Sequence, residues 1–201
     1  AKEPSEQEVI SDLNEDIVFL HKFIQGMTEK RLEELKRFDW VCSKQEYERI
    51  QKLKPKSDAE RFHKVAYDLN FSFGNKMGGG LSNNKIVSAP EMHPEKYLEA
   101  AERLKGVKIL NQDYKKTIAQ YDGKDTLFFL DPPYPEEWTA HGDEIDLEDF
   151  MATLQKIKGK FSAVLNQNEE HTAAFKKVGN VFRIKVQESA GKGGAKSAYR
   201  I

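Results

Sequence analysis

The tetrapeptide Asp131-Pro132-Pro133-Tyr134 follows directly on the apolar run Leu127-Phe128-Phe129-Leu130. Each proline fixes φ near roughly −65° and lacks a backbone donor, so the turn is stiff and rich in acceptors. The Asp131 carboxylate and the Pro132 carbonyl can point one way, with the flat ring of Tyr134 beside them. An acceptor pair next to an aromatic face suits a planar amine. In a base such as adenine the amino lone pair is delocalised into the ring. Two acceptors gripping its two N–H bonds favour a pyramidal nitrogen and free that lone pair for attack. An aromatic ring can also stack on a base taken out of a helix, which contributes roughly 1–3 kcal/mol. The plainer reading is a sharp turn after a strand, since Asp before Pro commonly opens one.

Other residues carry weaker signals. Asp12 follows the β-branched stretch Glu8 to Ser11. It suits either a pair of ribose hydroxyls at a strand end or the first turn of a helix. Asp113, with Tyr114 after it, suits an exocyclic amine under an aromatic ring, or a cap before Lys115 to Ala119. Lys64, Asn75, Lys76 and Lys85 bracket a glycine-rich loop, where lysines suit phosphates and glycines let backbone approach a polyanion. A solvated loop explains the same lysines. Phe71 and Phe73 read as core. The five histidines have no metal-ligand spacing, and no metal is expected.

These residues need elements to hold them. Apolar residues at Ile17, Leu20, Ile24 and Met27 predict a helix with Asn14 as its cap. Thr28 to Arg37 reads as a solvated helix with acid–base pairs at helical spacing. Phe38 to Asp68 is helical in pattern and broken at Lys54-Pro55-Lys56, with Ser57-Asp58 a cap for Phe62, Val65, Ala66 and Leu69. Asn75 to Ser88 reads as an exposed loop. A helix from Pro94 to Gly106, a strand at Val107 to Leu110 and a short helix at Asp113 to Ala119 follow. Asp125 to Leu130 reads as the strongest strand, with Leu127 to Leu130 central and buried on both faces, so Asp131 is delivered to the ligand edge of a parallel sheet. A helix over Leu147 to Ile157, a strand at Phe161 to Leu165, a helix from about Glu169 and strands at Val181 to Val186 and from Ser197 complete the chain. The alternation predicts an α/β fold with a largely parallel sheet. Residues 40–88 lack strands and read as an inserted helical subdomain.

Thirty-two Lys plus Arg against 33 Asp plus Glu leave a net charge of −1. That total neither demands nor excludes a polyanionic partner. Cys42 is the single cysteine, which rules out an intramolecular disulfide and fits a reducing, cytoplasmic setting. No apolar run reaches the ~18 residues of a membrane span.

The motif at Asp131 to Tyr134 resembles the catalytic motif of S-adenosylmethionine-dependent DNA amino-methyltransferases. The wider pattern is similar to the DNA adenine-N6 methyltransferases of the Dam type. Val9 to Asp16 resembles their strand-to-helix segment, whose acid binds the cofactor ribose. Arg61 to Lys76, with Asp68-Leu69-Asn70 and Phe71-Ser72-Phe73-Gly74, resembles their helical target-recognition insert. Asn111-Gln112-Asp113-Tyr114 resembles the segment lining the cofactor adenine. The resemblance implies a Rossmann-like methyltransferase sheet over residues 1–39 and 89–201, with the recognition insert at 40–88. It implies S-adenosylmethionine as cofactor, held by Asp12, Asn14, Asp113 and Tyr114. It implies double-stranded DNA as partner, contacted by Lys64, Asn75, Lys76 and Lys85, and catalysis by Asp131, Pro132, Pro133 and Tyr134. A restriction-modification setting is typical of such enzymes, and a monomer is the expectation.

The family's glycine-rich cofactor loop, a Phe-x-Gly-x-Gly pattern before the Asp12 strand, has no counterpart in these 201 residues. Its N-terminal segment has none either. The expectations are a sheet incomplete at its N-terminal end and weak cofactor binding by these residues alone. Two alternatives follow: a catalytically inactive DNA-binding remnant, or an amino-methyltransferase acting on cytosine N4 or on RNA.

Overall fold

The computed structural model describes residues 3–73, 77–83, 86, 91–132, 146–164, 169–182, 184–188 and 196–200. They fall into two compact units, Ala1–Tyr114 and Lys115–Ile201.

The first unit opens with β1 (Val9–Asp12), which pairs in parallel with β2 (Lys108–Asn111), Val9 opposite Lys108 and Asp12 opposite Asn111. Between them run α1 (Glu15–Gln25), α2 (Glu29–Leu35), α3 (Lys44–Lys52), α4 (Asp58–Phe71) and α5 (Lys96–Leu104). Asn14 caps α1 as the sequence predicts: its side-chain oxygen accepts from Asp16 N–H at 2.9 Å and Ile17 N–H at 3.3 Å. Glu15 and Asp16 then sit at the positive end of the helix dipole. Thr28, Ser43 and Ser57 cap α2, α3 and α4 in the same way. Each side chain satisfies a backbone donor that the first helical turn leaves unpaired.

Phe23 and Ile24 of α1, Leu32 and Leu35 of α2, Phe62 and Ala66 of α4, and Ala101 of α5 share one core. Phe62 stacks on Phe23 at 4.5 Å and meets the edge of Tyr97 at 5.0 Å. Burial pushes the Tyr97 hydroxyl up to about 12. The opposite face of α4 carries Tyr67 and Phe71 into a second cluster with Cys42, Tyr47 and Ile50. Thus α4 is buried on both sides, and the helices of residues 40–71 are built around it.

Two expectations change here. The segment 28–37 is not simply solvated: Leu32 and Leu35, three apart on one helix face, are 2% and 0% exposed. The Lys36–Glu33 pair on its other face, at 2.9 Å, is of the expected kind. Phe71 is core, but Phe73 is 53% exposed. Helix α4 ends at Phe71, so the face that buries Phe71 no longer governs a residue two positions on.

His63 of α4 is fully buried. Phe38 stacks on it at 4.7 Å, and Trp40 meets it edge-on at 4.5 Å. Its Nε2 lies 2.8 Å from the Asp39 carbonyl, so Nε2 carries the proton and Nδ1 is an acceptor with no hydrogen-bond partner among the described residues. Burial pushes its pKa below 6.5, against the opposing pull of the Asp39 carbonyl and Glu46. The unfolded chain therefore binds a proton below about pH 6.5 that the folded chain refuses. This contribution to stability is complete above that pH and shrinks as pH falls through it. Urea unfolding midpoints should fall between pH 7.5 and 5.5, and His63→Gln should flatten that fall. An unchanged slope in the variant would show that His63 is not its source.

The second unit holds α6 (Tyr114–Tyr121, beginning at the last residue of the first unit), β3 (Leu127–Leu130), α7 (Leu147–Leu154), β4 (Lys160–Ala163), α8 (Glu169–Phe175), β5 (Ile184–Glu188) and β6 (Lys196–Arg200). β3 and β4 are parallel, Leu127 opposite Lys160 and Leu130 opposite Ala163, whereas β5 and β6 are antiparallel. The fold is mixed α/β, with the described strands in three two-stranded ladders. Phe150 of α7 meets the edge of Phe175 of α8 at 6.2 Å.

The register that carries Asp131 to the end of β3 is fixed at the opposite end of the ladder. The Asp122 carboxylate accepts the backbone N–H of Lys158 and of Gly159 at 3.0 Å, and these bonds hold its pKa below the usual carboxylate range. A Cβ on Gly159 would lie 2.5 Å from the Thr126 carbonyl oxygen and 2.6 Å from that of Gly123, so only glycine fits. The Lys160 N–H then bonds the Thr126 carbonyl at 2.8 Å and starts the ladder.

β3 is not buried on both faces. Phe128 is 8% exposed, but Leu127 and Phe129 are 61% and 71% exposed. Alternation puts those two on one face of a two-stranded ladder, and that face is open.

Candidate active site

In the first unit the candidate residues gather where β1 and β2 end. Asp12 is the last residue of β1, and its Oδ1 accepts the Asn14 N–H at 2.7 Å. The carboxylate thus closes its own turn, the short-range bond that aspartate makes two residues on. The Asn14 oxygen is committed to the α1 cap. Asn111, opposite Asp12, donates its side-chain amide to the carbonyls of Asp12 at 3.1 Å and Leu13 at 2.9 Å. Ser11 Oγ donates to the Gln112 carbonyl at 2.9 Å. The two strand ends are therefore tied side chain to backbone in both directions. Asp113 and Tyr114 follow at the start of α6. Asp12 and Asp113 accordingly stand at the carboxyl ends of two paired parallel strands, where open parallel sheets bind ligands.

Behind this edge, Asp16 of α1 accepts from Arg61 of α4 at 2.6 Å, and the Arg61 guanidinium lies 4.2 Å over the Phe19 ring. The same arginine thus ties α4 to the helix that follows Asp12.

In the second unit, Asp131 and Pro132 follow β3 directly. Asp131 is exposed and Pro132 half-buried. The Leu130 carbonyl accepts the Val164 N–H at 3.0 Å, so the ladder holds up to the residue before Asp131. Pro133 and Tyr134 lie outside the described residues, as do Asn75, Lys76 and Lys85. Lys64 is described: its ammonium donates to the carbonyls of Leu53 at 2.6 Å and Gln51 at 3.3 Å. It satisfies the C-terminal end of α3, where a cation also complements the helix dipole.

A family model described as D12 class N6 adenine-specific DNA methyltransferase matches residues 1–190. The chain belongs to this family. No curated protein sequence matches it significantly. The family is an enzyme family, and its members are transferases that methylate adenine N6 in DNA.

Two side chains of this methyltransferase take roles in the structure that its sequence does not disclose. Asn111 pins the turn that carries the Asp12 carboxylate. The only trace of this in the chain is a polar residue ending an apolar strand. Asp68 is 5% exposed inside α4, a position where an unpartnered carboxylate would not be tolerated. Among the described residues no group of three or more His, Cys, Asp or Glu side chains gathers to hold a metal ion. No helix among them is long and apolar enough to cross a membrane.

Proposed function

We propose that this chain transfers a methyl group from S-adenosylmethionine to N6 of adenine in double-stranded DNA, at a fixed recognition sequence and as a monomer. The observation that carries this reading is the Asp131-Pro132 step at the carboxyl end of the parallel strand β3, in a chain of this family. S-adenosylmethionine, when bound, supplies a methyl group on a positively charged sulfur. The residues at the β1–β2 edge suit it: a carboxylate at Asp12 for two ribose hydroxyls, a second at Asp113 for the adenine amino group, and the Tyr114 ring for its face. The chain's own remaining task is to activate a poor nucleophile. The Asp131 carboxylate and the Pro132 carbonyl accept the two N–H bonds of the target amine and draw its nitrogen toward a pyramidal shape. Pro133 keeps the turn from relaxing, and Tyr134 stacks on the base once it has left the helix. The nitrogen lone pair would take the methyl group as the methyl–sulfur bond breaks, the neutral sulfide being the leaving group, and one N–H proton would pass to solvent.

In this reading residues 1–39 and 89–201 form the Rossmann-like catalytic domain, and residues 40–88 form the target-recognition insert. Asn75, Lys76 and Lys85 contact DNA directly. Lys64 supports them through the end of α3. A plasmid incubated with the protein and cofactor should change its susceptibility to restriction enzymes that respond to adenine methylation. Unchanged digestion by a panel of such enzymes, with cytosine-sensitive enzymes affected instead, would contradict the assignment to adenine.

A further inference from the structure

Asp68 is a buried carboxylate that reaches in two directions. Its Oδ1 accepts the Tyr47 hydroxyl at 2.8 Å and the Gln51 amide at 2.9 Å, both from α3. Its Oδ2 accepts the backbone N–H of Gly78, ten residues on, at 2.8 Å. The first pair is fixed by the core, because Tyr47 packs with Ile50, Tyr67 and Phe71. Burial and the bond to Asp68 raise the Tyr47 pKa. The second contact leaves the core and holds the glycine-rich loop.

That loop is shaped from both ends. At its neck Ser72 and Leu81 form an antiparallel bridge, with Phe73 N–H on the Gly80 carbonyl at 2.7 Å and Ser82 N–H on the Phe71 carbonyl at 2.9 Å. Gly78 and Gly80 have φ of 71° and 77°. Among the described residues a Cβ on either would meet nothing within 4 Å, and it is the positive φ that favours glycine there. A turn built on two left-handed residues has many competing shapes. A carboxylate anchored in the core selects one of them by fixing the Gly78 amide.

We propose that Asp68 is a positioning residue for DNA recognition, clamping the glycine-rich loop through the Gly78 amide in the shape that engages DNA. This rests on the reading that the loop contacts DNA. A loop ordered before binding saves the cost of ordering it on the duplex. The clamp therefore acts on DNA affinity and not on the chemical step.

Asp68→Asn tests this with little change of shape. One side-chain oxygen remains for Tyr47 and Gln51, while an N–H₂ replaces the acceptor that faces the Gly78 amide. DNA Kd and the KM for DNA should rise about tenfold or more, as expected for a lost charge-assisted hydrogen bond, with kcat at saturating DNA within about twofold. Gln51→Ala removes an α3 donor to Asp68 Oδ1 and leaves the Gly78 contact in place, so it should leave DNA affinity as it is. Gly78→Ala strains the turn from the loop side, leaves the buried network alone and should weaken DNA binding as Asp68→Asn does. It also decides the matter if the Asp68 variant does not fold. Equal weakening by Asp68→Asn and Gln51→Ala, or unchanged affinity in folded Asp68→Asn or in Gly78→Ala, would overturn the proposal. The double variant Lys76→Glu, Lys85→Glu separates the two levels. If it weakens DNA binding and Asp68→Asn does not, the clamp alone is wrong. If it changes nothing, the loop is not a DNA contact and the clamp falls with it.

Discussion

Asp131→Ala should lower kcat by a factor of about 10² to 10³, the scale seen when one preorganised polar group aimed at a reacting centre is removed, while DNA affinity stays within a few-fold. The target amine shares its lone pair with the purine ring, so it attacks poorly unless that sharing is broken. In the proposed mechanism Asp131 supplies the charged member of the acceptor pair, and a charge-assisted bond is roughly twice as strong as a neutral one. Its benefit grows as positive charge develops on nitrogen, so it lowers the barrier more than it tightens ground-state binding. The loss should therefore appear in kcat and not in the KM for DNA. Asp131→Asn keeps a neutral acceptor and should fall between alanine and the parent. Steady-state rates at saturating DNA and cofactor would decide it. A kcat for Asp131→Ala within tenfold of the parent would remove Asp131 from the chemistry.

Asp12→Ala should raise the KM for S-adenosylmethionine by about tenfold to a hundredfold, the range for hydrogen bonds to a charged group, and leave kcat at saturation nearly unchanged. Asp12 closes a turn in the structure and holds the cofactor ribose in the proposed reading, and the variants separate the two. Its Oδ1 closes the turn to the Asn14 N–H at 2.7 Å, at the end of the ladder where Asn111 pins the backbone. Asp12→Asn can keep the turn bond and lose the charge. If the ribose role is right, asparagine should cost the cofactor most of what alanine costs. If the turn alone matters, asparagine should behave as the parent does.

Much of what positions these residues could be read along the chain, because it depends on neighbours in sequence. Asn14 before an apolar helix period, and Ser57 before Phe62 and Ala66, are local capping signals, and both caps form. The strand before Asp131 is equally local, and its ladder with β4 is parallel. What could not be read depends on partners far away. A run such as Leu127 to Leu130 shows that a strand can be buried, but not whether a second layer covers Leu127 and Phe129. Thr28 to Arg37 is so charged that its two-leucine face passes for a solvated helix until α1 and α4 supply the core. Lys64 looks like a phosphate contact because it brackets the glycine-rich loop in the sequence. Only the fold shows that the end of α3 lies within reach of its ammonium. Asp68 is the same case in reverse, since an acid in a helical pattern gives no sign that Tyr47, Gln51 and Gly78 will converge on it.

The most direct test is to supply S-adenosylmethionine with a labelled methyl group and double-stranded DNA, raising the cofactor until the rate no longer climbs. The DNA is then digested to nucleosides, and the labelled one is identified. The account predicts label in N6-methyladenine, and its loss in Asp131→Ala with DNA binding retained. Label in N4-methylcytosine, or equal labelling of adenine by the Asp131→Ala protein, would contradict it.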